Sequence, residues 1–358
     1  MGRICSSLCL LSLLRAVLPA PLPIDGVIRA TGDGSSFAYL VPPRGGNHAA
    51  SIAQLPSKAL GVAWFTGGEG TPNCSIAYSR LAAGSLAWSA GVEVVTVVNQ
   101  SSQNPVLYAD DVTGEVRLWH TTQSPARGES SSFIYEAVSS DGGATFGASA
   151  PWYAVPGAFT RNSVLPLAAG GPLLLPCYNS TPGAIPDYPI MLISDPARRA
   201  FRAVRAPGAD LIQPTVVRVR GGGLRAWLRD ENQSAVYVMD SGDDGETWSP
   251  PVATALPNNN AALQSLVLYN GVVALVYDAQ RGPGTPRSPL VVALSDDGGQ
   301  TWPASRTLMQ HDDNSTSVGE YSYPSLTQTD DGLIHVAFTV DRIAIKYVRF
   351  DEAWVRQG

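Results

Sequence analysis

The stretch Ser295-Asp296-Asp297-Gly298-Gly299-Gln300-Thr301-Trp302 has the pattern Ser-x-Asp-x-Gly-x-Thr-aromatic, and the sequence contains it three times. The other copies are Ser139-Ser140-Asp141-Gly142-Gly143-Ala144-Thr145-Phe146 and Ser241-Gly242-Asp243-Asp244-Gly245-Glu246-Thr247-Trp248. A short apolar run precedes each copy, which predicts a strand that enters a tight turn. In such a turn Asp and Ser can bond backbone amides, the second Gly can take a positive φ, and the aromatic ring can fold back on the sheet. We therefore expect the acidic residues of this octet, the Asp box, to shape turns.

A longer pattern recurs six times along the chain. It consists of a polar or aromatic residue, an apolar strand, a turn that contains Gly, and a second apolar strand. The copies begin at His48, Asn104, Asn162, Gln213, Gln264 and Tyr323. Their spacing of roughly 50 to 60 residues suits a four-stranded blade. The sequence therefore predicts an all-β fold, a six-bladed β-propeller with Asp-box repeats.

The last repeat lacks an outer strand, because it ends after its third predicted strand, Ile343 to Phe350. Residues Gly26 to Val41 precede the first repeat and could supply that strand. This exchange would close the ring and protect the edges of the sheets. No linker or low-complexity break suggests a second domain, so we assign residues 24–358 to one propeller.

Composition and charge narrow the class of protein. The chain has 35 Gly and 28 Pro, which suits many strands and turns rather than long helices. Its net charge is −6 and it has no Lys/Arg run, so nucleic acid is not an expected partner. An acidic sugar remains compatible, since a local cluster of arginines can lie in an acidic protein.

The first residues of the chain resemble a secretory leader. Ile4 to Leu18 is apolar, follows Arg3 and precedes Pro19-Ala20-Pro21, which predicts a signal peptide over residues 1–23 and a secreted protein. No later segment is apolar and long enough to predict a membrane span. Five Asn-x-Ser/Thr sequons favour a glycosylated protein: Asn73, Asn99, Asn179, Asn232 and Asn314.

The cysteines and the potential metal ligands give little information about the function of the protein. Cys74 and Cys177 remain after removal of the leader and fall in different repeats, so whether they form a disulfide stays open. No residues have metal-ligand spacing, and we expect neither a metal nor another cofactor. We expect a monomer.

The Asp boxes lead to a family resemblance. With three boxes at blade-like spacing the chain resembles the sialidase (neuraminidase) superfamily, and in particular its BNR/Asp-box, sialidase-like branch. Phrases similar to that branch run through nearly the whole mature chain: Ala63-Trp64-Phe65, Asn104-Pro105-Val106-Leu107, Ile212-Gln213-Pro214-Thr215, Arg287-Ser288-Pro289-Leu290 and Gly319-Glu320-Tyr321-Ser322-Tyr323-Pro324. The resemblance implies a secreted carbohydrate-active enzyme, an exo-glycosidase that releases a terminal acidic sugar from glycans.

Candidate site residues form one ring in the predicted propeller. Residues just before the first strand and just after the second strand of each blade emerge on the same face, around the central channel. Those before the first strand are His48, Asn104, Arg161, Asn162, Gln213, Gln264, Tyr321 and Tyr323. Those after the second strand are Glu69, His120, Asn179, Arg229, Asp230, Asp278, Arg281, Asp341 and Arg342. A funnel of polar, aromatic and cationic groups suits a polyhydroxylated anionic ligand.

The resemblance assigns roles to some of these positions. Sialidases bind the sugar carboxylate with three arginines and use a Tyr nucleophile activated by a Glu, with an Asp as acid/base. Tyr323 matches the nucleophile, and Arg229 and Arg287 match the second and third arginines, with Arg161 as a further candidate for the carboxylate. Asn104, Gln213 and Tyr321 are further candidates for contact with the substrate.

The sequence also departs from the family pattern. His48 stands near the place of the first arginine, Gln213 stands where the Glu partner of the Tyr belongs, and the Asp acid has no clear match. Glu69 and Glu320 are the remaining candidates for the acid/base.

Two other functions stay open. A polysaccharide lyase acting on uronate-containing glycans could use His48, Asn104, Gln213 and Tyr323, since an amide neutralises the carboxylate while Tyr and His exchange protons. Loss of the Glu and of one arginine also fits a glycan-binding propeller without catalysis. The fold cannot decide among these functions.

Overall fold

The computed structural model describes residues 21–110, 112–180, 185–198, 200–311 and 318–358. Within these ranges nearly all regular structure is β-strand, arranged in six antiparallel sheets. The predicted six-bladed β-propeller is therefore confirmed. Most of the predicted signal peptide, and the sequon at Asn314, lie outside the described residues.

The first half of the chain forms two short strands and three blades. The short strands are β1 (Arg29–Ala30) and β2 (Ser36–Tyr39). Blade one contains β3 (His48–Gln54), β4 (Leu60–Thr66), β5 (Ser75–Leu81) and β6 (Val92–Val95). Blade two contains β7 (Ser101–Ala109), β8 (Val116–Gln123), β9 (Phe133–Ser139) and β10 (Ala150–Tyr153). Blade three contains β11 (Ala158–Thr160), β12 (Leu165–Pro166), β13 (Leu173–Asn179), β14 (Tyr188–Ser194) and β15 (Phe201–Arg205).

The second half forms three blades and a short helix. Blade four contains β16 (Leu211–Arg218), β17 (Leu224–Asp230), β18 (Ala235–Ser241) and β19 (Val252–Pro257). Blade five contains β20 (Gln264–Val267), β21 (Val273–Asp278), β22 (Leu290–Ser295) and β23 (Ala304–Met309). Blade six contains β24 (Tyr321–Gln328), β25 (Ile334–Val340) and β26 (Ala344–Phe350), followed by α1 (Glu352–Arg356).

The ring closes as the sequence predicts. Strand β2 pairs with β26 in antiparallel register, from Ser36 opposite Arg349 to Tyr39 opposite Lys346, and β1 adds a fifth strand outside it. Helix α1 strengthens the junction, since the indole nitrogen of Trp354 donates to Oδ2 of Asp33 at 3.0 Å. The N-terminal segment thus covers an edge of blade six that would otherwise be unpaired.

The Asp boxes fold as the expected turns. In the third box Oγ of Ser295 accepts from the amide of Gly299 at 2.7 Å and donates to Oδ1 of Asp297 at 2.7 Å. The Asp297 carboxylate also accepts from the amide of Thr301 at 2.9 Å and from its hydroxyl at 2.6 Å. The other two boxes repeat these bonds. The box carboxylates therefore hold turns together.

The box glycine at the fifth position also joins neighbouring blades. Gly299 has a φ of 88° and packs on Trp227 of the preceding blade, which leaves no room for a Cβ. Gly143 and Gly245 pack in the same way on Leu55 and Leu174. Each box thus fixes both a turn and the contact between two blades.

The first strands begin earlier than the sequence predicts. Asn104, Gln213 and Tyr323 lie inside β7, β16 and β24 rather than before them, and His48 is the first residue of β3. Each of these strands shifts register near its start, and the positive-φ residues at the shifts are Ala49, Asn104, Gln213 and Tyr323. A bulge of this kind redirects side chains, here at the axis of the ring. In blade three the first strand is instead interrupted between β11 and β12, and Arg161 lies in the gap.

The structure also locates the two cysteines and the sequon at Asn179. Cys74 and Cys177 are buried and free, so they form no disulfide. Asn179 is 2% exposed and its amide nitrogen donates to the carbonyl of Pro156 at 2.9 Å, so the side chain of this sequon is not accessible for glycosylation in the folded chain.

Among the described residues, no helix is long and apolar enough to cross a bilayer. Within the same residues, no group of three or more His, Cys, Asp or Glu is placed to hold a metal ion.

Candidate functional site

Tyr323 lies at the centre of a cluster of arginines. It is 7% exposed and occupies the bulge of β24. The guanidinium carbons of Arg161, Arg229 and Arg287 lie 5.0, 5.7 and 5.4 Å from the centre of its ring. These arginines come from blades three, four and five, so the propeller brings together residues that are far apart in the chain.

The hydroxyl of Tyr323 receives hydrogen bonds from two donors. Nη1 of Arg229 donates to Oη at 2.7 Å, and Nε2 of Gln213 approaches it at 3.5 Å. Nη1 of Arg229 also donates to Oε1 of Gln213 at 3.0 Å, which fixes the orientation of the amide. Burial raises the pKa of Tyr323, but the charges of Arg229 and Arg287 and the Gln213 hydrogen bond lower it, and the pKa falls below its ordinary value. The surroundings of Tyr323 thus make its proton easier to remove than that of an ordinary tyrosine.

An alternating chain of charges borders this tyrosine. Nη1 of Arg287 donates to Oε1 of Glu320 at 3.1 Å, and Nε of Arg342 donates to Oε2 of Glu320 at 3.0 Å. Nη1 of Arg342 then donates to Oε2 of Glu69 at 2.5 Å. Arg342 thus links Glu320 to Glu69, and Glu320 links Arg342 to Arg287.

Arg161 is placed differently from the other arginines. It is 2% exposed and reaches across the axis, where Nη1 donates to the carbonyl of Ala50 at 3.1 Å and Nη2 donates to that of Pro324 at 2.7 Å. Burial lowers its pKa to about 10. Its guanidinium thus ties blade three to blades one and six while it lies against the Tyr323 ring.

His48 packs directly on the central tyrosine. Its ring centre lies 4.1 Å from that of Tyr323, and its Nδ1 lies 2.9 Å from Oγ1 of Thr339. Its Nε2 has no hydrogen-bond partner among the described residues. Burial lowers its pKa well below the ordinary value, and the surrounding arginines lower it further, so His48 is neutral.

The structure removes Tyr321 from the set of pocket-lining candidates. Its side chain is 2% exposed and packs in the hydrophobic cluster with Val276, Leu326 and Val340. The bulge at Tyr323 is the physical reason that two tyrosines only two residues apart have different surroundings. The amide of Tyr321 does hold the site, since it donates to the carbonyl of Arg287 at 2.9 Å.

A small polar pocket opens beside Tyr323. The charged and amide side chains that line it are Glu69, Gln103, Asn104, Glu129, Asp187, Arg229 and Glu231. Asn104 is 5% exposed, and its Oδ1 has no hydrogen-bond partner among the described residues. A second pocket is lined in part by Arg287, Glu320 and Arg342, three members of the ion-pair chain. The site therefore has two walls. The arginines Arg229, Arg287 and Arg342 form the cationic wall, and the carboxylates Glu129, Asp187 and Glu231 form the acidic wall.

The sequence patterns did not identify three residues of the site, Glu129, Glu231 and Asn260. Glu129 lies in the short 3-10 turn Glu129–Ser131 between β8 and β9, and no pattern marks it. Glu231 follows Arg229-Asp230 directly, so its position after a second strand could have found it. Asn260 orients two arginines, as Oδ1 accepts from Nε of Arg229 at 2.6 Å and its carbonyl accepts from Nη2 of Arg287 at 3.1 Å.

Comparisons with known proteins agree with this fold. A family model described as a BNR repeat-like domain matches residues 58–336. A curated sialidase of Micromonospora viridifaciens is 26% identical over 174 residues, which cover 46% of this chain and 26% of that protein. The aligned part is thus only about a quarter of the relative's length.

Solved structures show the same architecture at low identity. A Hadza microbial sialidase superposes with a TM-score of 0.73 at 16% identity, covering 87% of this chain and 66% of that one. A protein of unknown function from Dyadobacter fermentans gives 0.69 at 15% identity, with 90% and 98% covered. A leech intramolecular trans-sialidase, solved with 2,7-anhydro-Neu5Ac, gives 0.68 at 12% identity, with 88% and 69% covered.

Proposed function

This chain belongs to the BNR repeat-like domain family within the sialidase superfamily, and from that premise we propose that it is a sialidase-like exo-glycosidase, which releases a terminal acidic sugar from glycans. One observation carries the proposal. The hydroxyl of Tyr323 accepts a hydrogen bond from Arg229 at 2.7 Å, and three guanidinium groups surround its ring. Guanidinium groups placed around a buried tyrosine suit an anionic sugar and a phenolate nucleophile.

We assign the sugar carboxylate to the cationic wall. Arg229 lines the pocket, and its Nη2 makes no hydrogen bond within the described residues. Arg287 lies beside it. Arg342 supplies the third guanidinium in place of the arginine that His48 replaces, since its side chain is 38% exposed and linked to Arg287 through Glu320. The arrangement offers three cations without an arginine from blade one.

Tyr323 acts as the nucleophile in this proposal. Gln213 cannot accept a proton as a Glu would, so the tyrosine must be activated by charge rather than by a base. Arg229 and Arg287 do this by stabilising the phenolate. The phenolate oxygen attacks the anomeric carbon and forms a glycosyl-enzyme intermediate, which water then hydrolyses.

A lyase reaction is the second candidate, and His48 is the observation that favours it. This histidine is neutral, packs on Tyr323, and has an unpartnered Nε2. A neutral imidazole could remove a proton next to a uronate carboxylate, while Asn104 and Gln213 would neutralise that carboxylate.

The mass of the products separates these functions. We would incubate the purified protein with sialylated and uronate-containing oligosaccharides, with Tyr323→Phe as the control. Products that together have gained one water indicate a hydrolase, as we propose. Cleavage without gain of water would transfer the assignment to the lyase, and retained binding without cleavage would favour a glycan-binding propeller.

We further propose that the protein acts outside the cell. The predicted signal over residues 1–23 motivates this, and the sequon residues Asn73, Asn99 and Asn232 are exposed. N-terminal sequencing and intact mass of the protein from its native host would test both cleavage and glycosylation.

A further inference from the structure

The proposed reaction needs a proton donor, and the two expected carboxylates are poorly placed for that task. A glycosidic oxygen must be protonated as it leaves, so the acid must carry a proton near neutral pH. Glu320 accepts hydrogen bonds from two guanidinium groups, and Glu69 accepts one from Arg342. Guanidinium donors thus already occupy oxygen atoms of both carboxylates.

Glu231 lies on the acidic wall of the same pocket as Tyr323. It comes two residues after Arg229, whose guanidinium binds the Tyr323 hydroxyl. Its backbone is held firmly, because its amide donates to the carbonyl of Asp210 at 3.0 Å. The carboxylate of Asp230 also fixes the turn, accepting from the amides of Asn232 at 2.8 Å and of Ser234 at 2.9 Å.

The surroundings of Glu231 favour a bound proton. Within the described ranges its carboxyl makes no ion pair and no side-chain hydrogen bond. The charged groups that act on it are Asp187, Asp210, Glu129 and Arg229, so three carboxylates oppose one cation. Burial, followed by repulsion from Asp187, raises the pKa of Glu231 to about 7. A carboxyl poised near neutral pH suits general acid catalysis.

A second feature of the pocket independently points to a ligand. Oδ1 of Asn104 is buried, lines this pocket with Glu231, and has no partner among the described residues. A buried amide oxygen left unbonded is costly, and a sugar hydroxyl could satisfy it. The acidic wall therefore faces a place where a polar ligand fits.

We propose that Glu231 is the general acid/base of this site, in place of Glu69 and Glu320. Oη of the Tyr323 phenolate forms a bond to the anomeric carbon while the bond from that carbon to the glycosidic oxygen breaks. The electron pair goes to the leaving oxygen, which takes the proton of Glu231. Water then attacks the anomeric carbon and gives a proton back to the Glu231 carboxylate, and the phenolate leaves. The sum is one glycoside and one water converted to free sugar and alcohol.

The inference rests on the proposed function, and E231Q tests it. We would compare a natural oligosaccharide with an aryl glycoside of the same sugar, whose nitrophenolate needs no proton to leave. E231Q should cleave the oligosaccharide about 100-fold or more slowly, and should keep much of the bond-breaking rate on the aryl glycoside. The fall of wild-type kcat/KM above about pH 7 on the oligosaccharide should disappear. Glu246→Gln is the matched control, because Glu246 is exposed on the Asp-box turn of the same blade and does not line the pocket, and it should retain both activities and the pH profile.

Infrared difference spectra of wild type minus E231Q add a readout that needs no substrate. A carboxylic acid band that titrates near pH 7 is expected, and a Glu231 ionised at pH 5 would overturn the assignment. If the wild type cleaves oligosaccharides but E231Q cleaves both substrates at wild-type rates, the assignment of Glu231 fails and the glycosidase proposal stands. If the wild type cleaves no substrate, the proposed function fails, and the catalytic role of Glu231 fails with it.

Discussion

At the scale of single residues, Gln213 and Arg229 are the two side chains that donate hydrogen bonds to the Tyr323 hydroxyl. An amide in the place of a carboxylate cannot remove the tyrosine proton, but it donates toward the oxygen that loses it. Arg229 bonds both the amide oxygen and the phenol oxygen, so the three side chains form one hydrogen-bonded unit. In the reaction proposed above, charge takes the place of a general base in this unit, because a guanidinium stabilises phenolate without taking up a proton.

Gln213→Glu should raise the pKa of Tyr323. The new carboxylate would remove a donor to Oη and would place a negative charge beside the phenolate. The absorbance of tyrosinate, followed in a pH titration, measures this change. Tyr323→Phe is the control and should remove the titration of lowest pKa from the wild-type curve. An unchanged curve in Gln213→Glu would show that Arg229 and Arg287 alone set the phenolate.

At the scale of elements, the Asp box is a turn and a joint between blades. Its carboxylate binds the turn from within, and its fifth-position glycine lies against the preceding blade. Two glycines stand side by side in the third box with φ values of 75° and 88°, but only Gly299 touches Trp227. Substitutions at Gly298 and Gly299 can therefore separate the cost of a positive φ from the cost of steric overlap with Trp227.

Gly299→Ala should destabilise the protein more than Gly298→Ala. Both substitutions place a Cβ at positive φ, which costs about 1–2 kcal/mol. A Cβ at Gly299 would also overlap the Trp227 ring, which adds about 1–3 kcal/mol, whereas a Cβ at Gly298 meets Val219 at an ordinary 3.7 Å. Urea unfolding of the two variants measures the difference. Equal free energies of unfolding would mean that the contact with Trp227 contributes little.

These elements also show how far the sequence predicts the structure. The boxes and the six repeats rest on local patterns, so blade number, strand three and the closing segment can be read directly. The bulges could not be predicted with certainty of place, because the prolines that follow Gln213 and Tyr323 are compatible with a strand start as well as with a bulge, and no local pattern distinguishes the two. The ion pairs of Glu320 with Arg287 and Arg342 depend on how blades five and six pack together, and no local sequence pattern predicts that packing.

At the scale of the whole molecule, the junction of blade six holds the ring together. Strand β2 lies between β1 and β26, and its residue Ala38 and the following Leu40 are fully buried. Arg306 reinforces the junction from blade five by donating to Oδ2 of Asp33 at 3.0 Å and to the carbonyl of Trp354 at 2.8 Å. The N-terminal segment is thus part of the core rather than an appendage.

A chain that begins at residue 42 should be less stable than one that begins at residue 21. The shorter chain loses the buried Leu40 and leaves β26 with an unpaired edge. We expect its thermal midpoint to fall by at least about 5 °C and its tendency to aggregate to rise. Calorimetry and light scattering of both chains measure these effects. A monomeric short chain with the same midpoint would show that the outer strand is dispensable.

The pairing of β2 with β26 also bears on the order of events during synthesis. The first strand of this pair leaves the ribosome before the six blades, and its partner leaves only after five of them are complete. The residues of the pocket are also synthesised far apart in time, because Glu69 and Arg342 are separated by 273 residues and Tyr323 belongs to the last blade. Folding that depends on such distant contacts is slow and leaves strand edges exposed meanwhile. A nascent chain therefore cannot assemble the pocket until the sixth blade, which contains Tyr323 and Arg342, has been synthesised.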